Sequence, residues 1–180
     1  WPTPDFPTSA DLDDMTRLHR PLLMLLMALA APLALALDVG QPAPDVDLPD
    51  SAVAQKLSDL RGKVVYVDFW ASWCGPCKQS FPWMNEMQRK YGSKGLQIVA
   101  INVDAKRADA DKFLAQNSTA FALAFDAKGE SPRRFGIKGM PTSALIGADG
   151  KVLYVHQGFR MEERAELEAR LAAAVGTKAN

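Results

Sequence analysis

VVYVDFWASWCGPCKQSFPWM, residues 64–84, decides how the chain is read. Its first six residues are apolar, β-branched or aromatic apart from Asp68. That pattern predicts a strand buried on both faces, as in a parallel or mixed sheet. A Trp-containing turn follows, and Cys74-Gly75-Pro76-Cys77 then opens a helix. Strand, Cys-x-x-Cys, helix is the setting in which two cysteines become a redox pair. Cysteines three positions apart in a first helical turn close a small disulfide with little backbone movement. Cys74 lies where free N–H groups and the positive end of the helix dipole favour its thiolate. Such thiols ionise between about pH 3.5 and 7.5, against about 8.5 for a free cysteine. Cys77, one turn further in, is expected to be more buried and to act as the resolving thiol. Pro76 suits the first turn, where it gives up no needed N–H.

Other uses of a Cys-x-x-Cys are weaker. A zinc site needs about four ligands, and the chain has two Cys and two His, one of them the leader residue His19. A c-type haem site needs His after the second Cys, where Lys78 stands. A purely structural disulfide closing so short a loop stabilises little.

Around this stretch the 180 residues carry 21 basic and 21 acidic side chains, which gives no electrostatic case for nucleic acid. Residues 1–14 are Pro- and Asp-rich without periodicity and read as an upstream extension outside the fold. Residues 15–36 read as a signal peptide: Arg17 and Arg20, an apolar run, then Ala34-Leu35-Ala36 as an A-x-A cleavage signal. The alternative is an uncleaved anchor, since residues 21–37 are 17 uncharged positions, the lower limit for crossing a bilayer. Either way the domain is expected outside the cytoplasm, in a periplasm-like space. Loss of residues 1–36 leaves 19 basic and 17 acidic residues, a net charge of +2. In an oxidising compartment a lone cysteine pair is suited to exchange, not scaffolding.

Residues 37–50 form a Pro-rich lead-in, and its residues 45–48 are expected to pair with 53–57 as a hairpin. A helix over 78–91 carries Phe81, Met84 and Met87 at helical spacing, with Pro82 as a kink site. Further elements are a buried strand at 96–103, a helix at 105–116 with Ala108, Phe113 and Leu114 toward the core, a strand at 121–125 and a short helix at 131–135. A hairpin of 142–146 and 152–156 turns at Asp149-Gly150. A last helix, 161–175, buries Leu167, Leu171 and Val175, and 177–180 is a tail. Strands alternating with helices, closed by a hairpin and a helix, predict one α/β sandwich with a mixed sheet over residues 51–176.

FWASWCGPCK, with Gly139-Met140-Pro141-Thr142 further on, resembles thioredoxins. The signal peptide, the PDVDLPD lead-in and the extra helix and strand between Val103 and Phe135 are similar to the TlpA/ResA/CcmG group of extracytoplasmic thioredoxin-like proteins. The resemblance spans residues 40–175. It implies a thioredoxin-like three-layer sandwich with an N-terminal hairpin and a helix–strand insert. It implies a thiol–disulfide oxidoreductase with no cofactor beyond the Cys74–Cys77 disulfide, acting as a monomer on substrate proteins that carry a disulfide. Re-reduction by a membrane-borne donor of the DsbD or CcdA type follows from the same likeness.

By resemblance Pro141 is cis and packs on the disulfide, and the backbone of Met140 pairs with an extended substrate segment. Trp73, Gly75 and Pro76 form the active-site loop, with Trp73 as contact surface and Trp70 in the core. Asp68 corresponds to a buried acid that takes the proton of the resolving cysteine through water. A carboxylate in an apolar strand is costly without such a role, and burial raises its pKa toward neutrality. Two positions depart from the pattern. Ser80 stands where many of these proteins have Glu, and Ala100 is expected beside Asp68 where thioredoxin has Lys. Lys78 is expected to be solvated, and His156 to be a surface or hydrogen-bonded residue. Gly-Pro between the cysteines resembles reducing members. Rival readings are an oxidase or isomerase, a thiol peroxidase (which has Thr where Ala71 stands) and a redox-gated binding module.

Overall fold

The computed structural model describes residues 37–177. The expected extension and the expected signal peptide, with the last three residues of the tail, lie outside the described residues. Five strands run β1 Val64–Trp70, β2 Leu96–Asn102, β3 Ala122–Phe125, β4 Thr142–Ile146 and β5 Val152–Gln157. Four helices accompany them: α1 Gly75–Tyr91, α2 Arg107–Leu114, α3 Glu130–Arg134 and α4 Arg164–Gly176. The sheet order is β3-β2-β1-β4-β5. β1 pairs in parallel with β2 and β2 with β3; β4 runs antiparallel to both β1 and β5. This is the expected mixed sheet in an α/β sandwich.

β1 is central and all seven of its residues are buried, which explains its near-continuous apolar composition. Its alternate residues enter two cores. Tyr66 and Trp70 join Phe81, Met84 and Met87 of α1 and Leu167, Leu171 and Val175 of α4. Val65, Val67 and Phe69 join Phe135, the lead-in residues Val46 and Leu48, and Leu57 and Leu60 after it. In the first core the Phe81 ring sits 4.9 Å from Trp70, 5.1 Å from Phe113 and 5.3 Å from Phe121. Phe81→Ala would empty the centre of this cluster. It is expected to cost about 3–5 kcal/mol, read as a lower urea midpoint with an unchanged slope.

The N-terminal hairpin is short. A single antiparallel bridge joins Asp47 and Lys56, flanked by Leu48 N–H to Gln55 O at 2.7 Å and Leu57 N–H to Val46 O at 2.9 Å. Its second limb turns into a 3-10 helix, Leu57–Leu60, because Leu57 and Leu60 must both reach the core. The segment before it also pairs, with Gly40 N–H donating to Val152 O and Val152 N–H to Gln41 O. That covers the outer edge of β5 at its start, a device against edge-to-edge association.

Two expectations need correction. Helix α2 presents Ala110, not Ala108, to the core; Ala108 is exposed, and Phe113 and Leu114 are half-buried. The helix starts two residues later than its sequence suggests, so the buried stripe begins at Ala110. The last helix starts as a 3-10 turn, Met161–Glu163, before α4. Pro82 lies on the exposed side of α1 without ending it. Among the described residues no helix is long and apolar enough to cross a membrane.

Candidate active site

The chain leaves β1 at Trp70 and enters α1 at Gly75, so the four residues between are held from both ends. Cys74 is the N-cap of α1, and its Sγ accepts the Cys77 N–H at 3.3 Å. A sulfur at the N-cap thus meets a donor that the helix leaves without an internal partner, and a thiolate there gains from the dipole. Cys74 and Cys77 form a disulfide with Cα atoms 5.3 Å apart. Cys77 is fully buried and Cys74 nearly so. Gly75, Pro76 and Lys78 are exposed, and Trp73 is 73% exposed, whereas Trp70 is fully buried. A groove of about 420 Å³ opens beside Cys74, between the loop and α2, bounded by Trp73, Lys78, Lys112 and Phe113.

A set of contacts that sequence reasoning missed anchors this loop. The Asp104 carboxylate accepts the Ser72 N–H at 2.9 Å and the Ser72 hydroxyl at 3.0 Å. Asn102 Nδ2 donates to the same carboxylate at 2.8 Å. Asn102 and Asp104 are both buried. A signal existed: two polar residues end the apolar run LQIVAINVD. Their partner, 32 positions away, was not visible. Asp104→Ala removes both acceptors from Ser72 and is expected to cost about 1–3 kcal/mol, measured by denaturant unfolding.

Asp68 is 2% exposed, and its Oδ2 has no hydrogen-bond partner among the described residues. Burial raises its pKa well above the ordinary carboxylate value. It lies on the face of β1 shared by Tyr66 and Trp70, against which Cys77 packs. In register it faces Ala100 on β2, as counted from the sequence, and Ser143 on β4. The Tyr66 hydroxyl donates to Ser143 Oγ at 2.7 Å; burial first, and then Asp68, push its pKa up. Ser80 is buried, with its hydroxyl donating to Cys77 O at 2.9 Å.

The Met140–Pro141 peptide is cis. Pro141 is buried and Met140 half-buried, packed against both cores. Thr142 Oγ1 donates to Gly139 O at 2.7 Å and Gly158 N–H to Pro141 O at 2.7 Å, which fixes this loop at the start of β4. His156 is half-buried on β5, with Nε2 3.2 Å from Glu163 Oε2.

A family model described as Redoxin matches residues 38–171. The thiol-disulfide oxidoreductase ResA of Bacillus thuringiensis subsp. konkukian is 35% identical over 131 residues, 72% of this chain and 76% of that one. ResA of Oceanobacillus iheyensis is 36% identical over 134 residues, 71% and 69% of the two chains. A solved structure from Chlorobium tepidum, bearing the name thiol:disulfide interchange protein DsbE, shares 58% identity at a TM-score of 0.75. It covers 78% of this chain and 100% of its own. At that identity and coverage the chain belongs to the Redoxin family, as a thiol–disulfide oxidoreductase of the ResA and DsbE type whose redox pair is Cys74 and Cys77.

Proposed function

We propose that the domain is an extracytoplasmic reductase of protein disulfides. The observation that carries the chemistry is Cys74 at the N-cap of α1, its sulfur already accepting a backbone N–H. In the reduced protein that donor and the helix dipole stabilise the Cys74 thiolate. The thiolate attacks one sulfur of a substrate disulfide, and the other leaves as a thiolate. Cys77 then gives its proton to Asp68 and attacks Cys74 Sγ, which releases the second substrate thiol and closes the Cys74–Cys77 disulfide. Asp68 suits this task because it is buried and unpaired, so it holds a proton in a range where an exposed carboxylate does not.

Substrate contact is assigned to exposed Trp73, to Gly75 and Pro76, and to the Met140 backbone beside Pro141. Strand-like pairing there leaves the substrate's side chains free to vary. The reducing direction rests on Gly75-Pro76 between the cysteines, and the location on residues 15–36. The oxidised domain is then re-reduced by a dithiol donor held in the membrane.

The test is the reduction potential of the purified protein in glutathione or dithiothreitol buffers, followed by fluorescence of Trp70 and Trp73. A value below about −230 mV, toward thioredoxin near −270 mV, supports the reductase. A value above about −180 mV, past protein disulfide isomerase, overturns the direction and makes the protein an oxidase or isomerase.

A further inference from the structure

Three polar side chains stand in one line across the sheet, from its centre to its edge. The register pairs Asp68 of β1 with Ser143 of β4, and Ser143 with His156 of β5. Directly opposed residues project to the same face, with Cβ atoms about 4.5–5.5 Å apart. Tyr66 O–H donates to Ser143 Oγ, which leaves the Ser143 hydroxyl hydrogen free to point along the line. At the inner end is the buried, partnerless Oδ2 of Asp68. At the outer end the His156 side chain is 12% exposed and lies at ion-pair distance from Glu163, just ahead of α4.

On its other side Asp68 meets Ala100, a fully buried methyl group. Across the strands, therefore, the polar direction runs toward His156. The other titratable or charged groups on this side of the sheet include Tyr66, Tyr154 stacked 6.1 Å from His156, and Arg160 bonded to Glu163. From α4 come Arg170, over the Tyr154 ring and bonded to Glu166, and Glu168, bonded to Lys90 and Tyr91 of α1; Cys74 and Cys77 lie at the start of α1. His156 is the imidazole on this face, a side chain whose two ring nitrogens can accept a proton on one side and donate one on the other.

We propose that Ser143 and His156 carry the proton between buried Asp68 and solvent in each redox cycle. The inference rests on Asp68 as the proton acceptor of Cys77. When the Cys77 sulfur bonds to Cys74 Sγ, the Cys74–substrate bond breaks and its electron pair leaves on the substrate thiolate. The Cys77 proton goes to Asp68, and from there through Ser143 and water to His156 and out past Glu163. When a dithiol returns two electrons to the disulfide, the proton that Cys77 regains enters along the same row. Ser143 and His156 act through Asp68; neither touches the reacting sulfurs.

The experiment is a single-turnover oxidation of the reduced protein by a cystine-containing peptide, followed by tryptophan fluorescence from about pH 5 to 9, the range around imidazole titration. His156→Ala is expected to slow the resolving step about tenfold near neutrality, below the usual contribution of a direct acid or base. Free imidazole should restore the rate, and the reduction potential should not move. Ser143→Ala should slow the same step without imidazole rescue, because the break then lies inside the core. If His156→Ala folds poorly, His156→Gln replaces it under the same criteria. Rates within about twofold of the parent at every pH, against that expected loss, overturn the proposal. A loss that imidazole does not restore overturns it too and marks His156 as structural. Asp68→Asn separates the two claims: if it slows resolution while His156→Ala does not, the relay alone fails. If Asp68→Asn has no effect, the acceptor assignment fails as well.

Discussion

Cys74→Ser is expected to reduce catalysed insulin reduction to the background set by dithiothreitol alone, and Cys77→Ser to leave a stable mixed disulfide between Cys74 and the substrate. The two variants differ because the two sulfurs are placed differently. Cys74 caps α1 with its sulfur toward the helix N-terminus, next to exposed Trp73 and the open groove. A hydroxyl there does not ionise near neutrality and cannot displace a thiolate, so no covalent intermediate forms. Cys77 is fully buried, and in the proposed cycle it breaks the intermediate. Non-reducing electrophoresis after mixing with oxidised insulin reads the trap directly, and dithiothreitol should dissolve it. Turnover by Cys74→Ser above background would contradict the assigned attack. If Cys74→Ser also sustained the protein's role in cells, a redox-gated binding module would be the better description.

Asp68→Asn is expected to slow the resolving step about a hundredfold at neutral pH, the lower end of what a positioned base contributes. The deficit should narrow as pH rises beyond about 8.5, the value of a free cysteine, because a buried thiol ionises unaided only above it. A deficit that stayed constant across that range would mean Asp68 shapes the site without taking the proton. The same substitution should stabilise the fold, with a pH dependence whose sign follows from burial. In the folded state burial raises the Asp68 pKa; in the unfolded chain it returns to about 3.9. Below that value both states are protonated and the carboxyl costs little. As pH rises, the unfolded chain releases a proton that the folded state keeps, and stability falls until the folded pKa is passed. Asn does not ionise, so the variant's advantage is near zero in acid and grows toward neutrality. It should reach about 1–3 kcal/mol, the cost of a buried group without its partner. Urea midpoints of both proteins at acid and neutral pH decide it; an equal difference at both would remove the ionisation from the account.

These results would bear unequally on what sequence reasoning supplied. The central strand was legible because burial on both faces demands an apolar run, and VVYVDFW allows little else. The redox pair was legible because its chemistry is local: three positions, one helical turn, a helix end. Asp68 stood out as the one carboxylate inside that run, and the count that placed Ala100 beside it agrees with the register. Helix α2 was mis-phased at Ala108 because a short run with Ala at 105, 108 and 110 offers several stripes, and only packing selects one.

By itself the sequence determined the elements whose causes lie within a turn or a strand: the buried β1, Cys74 at the start of a helix with Cys77 behind it, and the hairpin with its Asp-Gly turn. Tertiary structure decided what depends on partners distant in the chain. Asp104 reaches back 32 positions to hold Ser72, and Tyr66 reaches 77 forward to Ser143. The line from Asp68 through Ser143 to His156 exists because β4 inserts antiparallel between β1 and β5. Shifting β4 by one residue would turn Ser143 to the opposite face. Side-chain periodicity shows which face a residue takes within its own strand; only the packed sheet sets which residue stands opposite.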